Sequence, residues 1–323
     1  MNVERKPIGG FFELELPKKG SSYHDAAIAL ANGRVCFKVI LNRVKPTKVY
    51  IPFYCCDMLM QPLKELKIPY EFYKINAQLD PIGIPLLGDT ELFVYVNYFG
   101  LKTASCRKLS KLFGDQIIID NTQAFFEKSL GLTWSFNSCR KFFGVPDGGF
   151  LYSPFYLEDA YVPNKPIITD HLWLSFSGRR EEAFDTFQQS EAVQTTKQCG
   201  MSDLTRRILY GVDFPNVMRT RRRNYKLLDR ALRFRNLMPA VVLDIEQNAI
   251  PFCYPLLLNH SVKKTDLYAQ SIYLPTLWTE VLSRDTEGYN LERSLVNNLL
   301  LLPIDHRVDE ADIQRMVRSI LEI

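Results

Sequence analysis

Gln116-Ile117-Ile118-Ile119-Asp120-Asn121-Thr122-Gln123-Ala124 is the stretch on which the fold turns. Residues 116–120 are uniformly apolar after the opening glutamine and β-branched throughout the middle. They read as a strand buried on both faces, the kind found inside parallel sheets. The strand ends on a carboxylate. A carboxylate at a buried strand end is costly unless it meets a cation or strong donors, so Asp120 is a candidate functional group. The plainer alternative is a helix N-cap, a place that aspartate fills readily.

On the N-terminal side, Lys48–Pro52 (KVYIP) is a short apolar run closed by proline, and residues 58–66 have helical spacing. Tyr70–Ile75 alternates as a strand, Glu91–Val96 reads as a buried strand, and residues 105–113 form a basic amphipathic helix. This β-α-β-α rhythm predicts an α/β fold, a mainly parallel sheet between helices. In such sheets ligands sit at the carboxyl ends of the strands. Beyond residue 200 the rhythm changes. Residues 213–234 read as a long helix whose Arg219, Arg221, Arg222 and Arg223 form a charged face expected to be solvated. Short strands and turns follow at 251–258, and a closing helix runs from about 310 to 320. The expected division is a large α/β domain over 1–205, then the long linking helix and a small α+β domain over 206–323.

The chain has 323 residues, 46% of them apolar and 24% charged, which suits a globular chain with a full core. Forty Lys and Arg against 36 Asp and Glu give +4. That is too small an excess to argue for nucleic acid, though it is compatible with an anionic small substrate. The seven cysteines are scattered through apolar segments without a Cys-x-x-Cys pair, and there are only four histidines. Reduced thiols and no metal site are expected. No apolar run approaches the roughly 20 residues of a membrane helix, and Met1 to Lys6 have no apolar stretch behind them, so no membrane partner and a cytoplasmic location are expected.

Two further stretches carry chemistry. Ser138-Cys139-Arg140-Lys141 precedes a glycine-rich turn ending in Asp147-Gly148-Gly149. A lysine three residues after a serine, then such a turn, is the local arrangement that presents a Schiff-base lysine in many pyridoxal-phosphate enzymes. The plain alternative is a basic turn leading into a strand. Asn32-Gly33-Arg34-Val35 opens an apolar helical run. Backbone amides at a helix start form a phosphate site, and Arg34 could add a charge-assisted contact; taken alone, Asn-Gly is only a turn.

The order is a phosphate loop, an aspartate at a strand end, and a lysine about twenty residues on. In that order the sequence resembles the DegT–StrS family of sugar aminotransferases, fold-type-I pyridoxal-phosphate enzymes, over most of its length. The family's D-x-x-Q-A motif reads here as Asp120 to Ala124. The resemblance implies a seven-stranded-type sheet, with Asp120 on the pyridine nitrogen and Gln123 on the ring hydroxyl. Val96-Asn97-Tyr98-Phe99-Gly100 matches a family strand end with Asn97 where histidine is usual, and Pro52-Phe53-Tyr54 places Phe53 or Tyr54 near the cofactor ring. Gly33, Arg34 and Val35 match the phosphate loop, with arginine replacing threonine, and Ser138 and Lys141 match the lysine motif.

The chain is shorter than typical members, and counting back from Asp147 by the family's usual spacing reaches Arg140 rather than Lys141. Arginine cannot lose its proton and form a Schiff base, so Lys141 is the expected attachment point, with Asp120 as its catalytic partner. Neighbours in an extended segment point to opposite sides, so only one of Arg140 and Lys141 is expected to face the cofactor. The function implied is transfer of an amino group, with glutamate as donor, to a keto-sugar nucleotide by a homodimer, in surface-polysaccharide or related sugar biosynthesis. Two alternatives stay open: a dehydratase of the same fold that lacks the lysine, or a non-catalytic binding protein. His260 and His306 are expected to be surface or structural, and Trp278 to belong to the core of the small domain.

Overall fold

Ile117, Ile118 and Ile119 are fully buried in the middle of an eight-stranded sheet. The computed structural model describes residues 12–157 and 160–322, so the stretch from Met1 to Lys6 lies outside the described residues. In chain order the first half comprises β1 (Ile28–Leu30), α1 (Gly33–Val44), β2 (Lys48–Pro52), α2 (Asp57–Glu65), β3 (Tyr70–Ile75) and β4 (Pro81–Ile82). It continues with β5 (Glu91–Val96), α3 (Thr103–Phe113), β6 (Ile117–Asn121), β7 (Trp134–Asn137) and β8 (Gly149–Tyr152). The strand order is β1-β8-β7-β6-β5-β2-β3-β4.

Strands β3, β2, β5, β6 and β7 run parallel, as the apolar runs require, while β8 pairs antiparallel with both β7 and β1. The sheet has eight strands rather than seven because a tight turn adds the two-residue β4 to the edge of β3. Asn76 makes that turn, its side-chain oxygen accepting from the backbone of Gln78 (2.9 Å) and Asp80 (3.0 Å). A two-residue strand leaves no periodicity to read.

The second half holds α4 (Asp170–Phe176), α5 (Arg180–Ala192), α6 (Asp203–Tyr210), α7 (Phe214–Leu232) and α8 (Ala240–Leu243). Then come β9 (Cys253–Leu257), α9 (Lys264–Tyr268), α10 (Asn290–Asn298), β10 (Leu299–Pro303) and α11 (Glu310–Leu321). β9 and β10 form a separate antiparallel pair, against which α7 packs. The position 205/206 falls inside α6, whose Leu209 is buried with Phe125 and Phe143 from the segments after β6 and β7.

The long basic helix differs from the sequence expectation at Arg222, half-buried with its guanidinium donating to the carbonyls of Ala249 (3.3 Å) and Asn248 (3.1 Å), and most at Arg221. Arg219 and Arg223 are exposed, but Arg221 is 2% exposed. It lies four residues from Val217 and four from Tyr225, on the stripe that α7 turns inward. Its Nη1 donates to the carbonyls of Pro251 (3.2 Å) and Phe252 (3.0 Å), and its guanidinium sits 4.5 Å from the Phe142 ring centre. Burial lowers its pKa to about 10, so it remains a cation at neutral pH.

Among the described residues no helix is long and apolar enough to cross a membrane, and no group of His, Cys, Asp and Glu could hold a metal ion. All seven cysteines are free.

Candidate active site

The carboxyl ends of β6 and β7 and the start of α1 meet at a cavity of about 140 Å³. Gly33, Arg34, Asp120, Thr122, Ser138 and Lys141 line its sheet side, and Cys56, Met58 and Leu59 at the start of α2 line the other.

Asn32 fixes the beginning of α1. Its Oδ1 accepts from Val35 N (3.0 Å), and its Nδ2 donates to the carbonyl of Thr195 (3.0 Å). The Val35 amide is thereby spent on the cap, and Gly33 and Arg34 are the loop residues at the cavity. The Arg34 side chain turns aside, donating to Gln61 Oε1 (2.9 Å) and Glu191 O (3.3 Å).

The turn after β7 is held against α1 by two glycines. Gly148 has a φ of +111°, where L side chains are strained. At Gly149 a Cβ would come within 2.9 Å of Asn137 O and Asn32 C, both backbone atoms. Gly149→Ala is therefore expected to destabilise the fold by about 1–3 kcal/mol through overpacking, read as a lower denaturation midpoint with an unchanged m-value.

Asp120 is buried, and its Oδ1 accepts from Thr122 N (2.8 Å). Burial raises its pKa, outweighing the Lys141 charge and the Thr122 hydrogen bond, which pull the other way. Lys141 Nζ donates to Thr122 Oγ1 (3.1 Å). One threonine thus binds the carboxylate through its amide and the lysine through its hydroxyl.

Residues 139–143 form a turn rather than an extended segment, with the Phe142 and Phe143 amides both donating to Cys139 O (3.0 and 2.9 Å). Arg140 and Lys141 consequently both line the cavity, and against the expectation of an inward Lys141 with Arg140 turned away, the Arg140 side chain is 10% exposed while Lys141 is exposed. They have different partners. Arg140 forms an ion pair with Glu191 of α5 and lies 5.3 Å from the Phe187 ring centre.

Val35, Phe53, Tyr54, Asn97 and Gln123, all singled out from the sequence, lie outside this cavity lining; Val35 is buried in α1 and Phe53 stacks on Tyr289 (3.8 Å between ring centres). Tyr54 is buried edge-on to Trp278 (4.5 Å between ring centres) and stacked on Tyr98 (5.8 Å), so Trp278 packs against the segments that follow β2 and β5. Asn97 bridges strand ends, donating to Asn121 Oδ1 (3.0 Å) and Thr103 Oγ1 (3.2 Å). Gln123 accepts from Phe99 N (2.7 Å), and its buried Nε2 has no hydrogen-bond partner among the described residues. His260 is exposed, and His306 belongs to a second cavity.

Thr122, Glu191 and Gln194 line the Asp120 cavity without having been singled out. Thr122 stood within the quoted motif as an unspecified position. Glu191 and Gln194 come from α5 and its end, far along the chain, and no local pattern marks them.

Solved aminotransferases share this fold at low sequence identity. A DegT/DnrJ/EryC1/StrS aminotransferase from Brucella abortus superposes with a TM-score of 0.57 at 15% identity, over 92% of this chain and 85% of that one. Helicobacter pylori PseC, an aminotransferase involved in the biosynthesis of pseudoaminic acid, gives 0.61 at 13% identity, over 91% and 86%. Spr1654 from Streptococcus pneumoniae, assigned as a sugar aminotransferase and solved in its PMP form, gives 0.63 at 14%, over 91% and 84%. No family model matches the sequence, and no curated protein does. At these identities the likeness is one of fold.

Proposed function

We infer that the chain is a pyridoxal-phosphate-dependent aminotransferase that transfers an amino group from glutamate to a keto-sugar nucleotide, in surface-polysaccharide or related sugar biosynthesis. The observation that carries this reading is Asp120 and Lys141 meeting across Thr122 in one cavity at the start of α1. Sugar aminotransferases among the structural neighbours, one of them solved in both PMP and PLP forms, support it. A homodimer is proposed from the family resemblance.

The donor set fits the cofactor. Asp120 is a buried carboxylate whose charge burial disfavours, and no ion pair holds it among the described residues. A cationic ring nitrogen is the partner such a group lacks. The amides of Gly33 and Arg34 and the Ser138 hydroxyl would hold the phosphate. When bound, pyridoxal phosphate supplies a conjugated ring that accepts electron density from the donor carbon. Lys141, exposed and donating to Thr122 Oγ1, is the group whose Nζ would take a proton and return it, because an amine can exchange its proton whereas a guanidinium holds its own.

The test is an absorbance titration of the purified protein with pyridoxal phosphate, followed by borohydride reduction and peptide mapping. A reduced adduct on Lys141 is expected. No adduct, or one on a different lysine, would replace this reading with the dehydratase or the binding protein.

A further inference from the structure

The Asp120 cavity is the inner end of a longer trough. Through Arg140 and Lys141 it adjoins a second cavity of about 560 Å³, enclosed by the loop after β7, helices α4 and α5, and residues 305–307. Through Arg180, Phe184 and Phe187 that cavity adjoins a third, of about 890 Å³, between α5 and residues 268–276.

The middle cavity is short of anions. Five cationic side chains line it, Arg140, Lys141, Arg180, Arg221 and Arg307, with Asp305 as the one carboxylate in its lining. Asp305 is already committed to Arg307, which it meets at 2.8 and 3.0 Å. Its buried donors are incompletely used. Arg140 keeps Nε and Nη2 without hydrogen-bond partners among the described residues, Arg221 keeps Nε, and His171 keeps Nδ1. The Arg140 side chain is 10% exposed, Arg221 2% and His171 7%. Buried N–H donors and unpaired guanidinium charge are costly unless a ligand completes them. Only Nη1 of Arg140 is taken by Glu191, so its other nitrogens could bind an anion without breaking that ion pair.

The outer cavity changes character. Phe184 is 59% exposed and Tyr273 56% exposed, and Tyr273 stacks on Tyr268 at 5.8 Å. Exposed aromatic faces in a groove suit a flat heterocycle. The sequence from lysine-bearing cavity to cationic cavity to aromatic groove matches the order sugar, diphosphate, base.

We propose that this trough binds the nucleotide half of the substrate, with the diphosphate in the cavity of Arg140, Arg180 and Arg221 and the base against Phe184 and Tyr273. The proposal rests on the keto-sugar nucleotide reading and gives that substrate a residue-level site within one chain.

Calorimetry on the full chain tests it, with UDP, dTDP, pyrophosphate and uridine as probes. At least one nucleoside diphosphate is expected to bind more tightly than pyrophosphate, and uridine most weakly. Arg180 and Tyr273 are exposed, so Arg180→Ala and Tyr273→Ala should fold. Arg180→Ala should weaken nucleoside diphosphate and pyrophosphate alike, by tenfold or more. Tyr273→Ala should weaken the nucleoside diphosphate by at least fivefold and leave pyrophosphate unchanged. Absence of saturable nucleoside diphosphate binding at millimolar concentration, or wild-type affinity in both variants, would overturn the proposal. Borohydride trapping in Arg180→Ala and Tyr273→Ala separates the two readings. An adduct on Lys141 that persists in both variants while wild type shows no saturable nucleoside diphosphate binding sinks the trough alone. Nucleotide binding without any Lys141 adduct in wild type sinks the aminotransferase reading alone.

Discussion

Lys141→Ala is expected to lose borohydride-trappable cofactor entirely and to lower the rate of amino transfer by roughly 10²–10⁴-fold or more, the range associated with a positioned general base. Lys141→Arg should do no better, because it keeps a cation near Thr122 but has no amine that can be deprotonated. Arg140→Ala should behave differently. Its guanidinium is engaged with Glu191 and the Phe187 ring, so the trapped adduct on Lys141 should survive. That substitution leaves the Glu191 carboxylate unpaired at the rim of a cavity meant for a phosphate, so the Kd for pyridoxal phosphate should rise while trapping at saturation persists. Reductive trapping and turnover, measured across the three variants, check the assignment. An adduct that survives Lys141→Ala would sink it.

Part of this arrangement was legible in the sequence. Strands β2, β5 and β6 are apolar on both faces because helices cover both sides of the sheet, and that leaves uninterrupted runs such as ELFVYV. Asp120 stood out for the same reason, as a charge ending such a run. Other features depend on contacts between distant segments. Gln123 belongs to a recognisable motif, yet its side-chain oxygen serves the amide of Phe99, in a turn where Phe99 has a φ of 59°. Arg221 reads as one of a run of arginines and is distinguished only by its register with Val217 and Tyr225. Helix α5 buries only Ala183 and Ser190 along its length, so no apolar stripe announces it. Glu191, which that helix brings to Arg140, was invisible accordingly.

Asp120→Asn separates a catalytic carboxylate from a cap, because asparagine keeps an oxygen to accept from Thr122 N and loses only the charge. A cap would tolerate the change, since Asp and Asn are nearly equivalent in that role. An ion partner of the cofactor ring would not. Turnover should fall by roughly 10²–10³-fold, as when one preorganised electrostatic group is removed from an active site. Stability of the cofactor-free protein should move the opposite way. Burial holds the pKa of Asp120 above its ordinary value, so between the unfolded value of about 3.9 and the raised folded one the native state binds more protons than the unfolded state. Stability of the wild type must therefore fall as pH rises through that window. Asparagine does not titrate and lacks this loss, so cofactor-free Asp120→Asn should melt higher than wild type at pH 8, with the gap closing below pH 4. Melting both proteins at the two pH values, with and without pyridoxal phosphate, reads both effects. A variant that is no more stable at pH 8 and turns over at the wild-type rate would make Asp120 a cap.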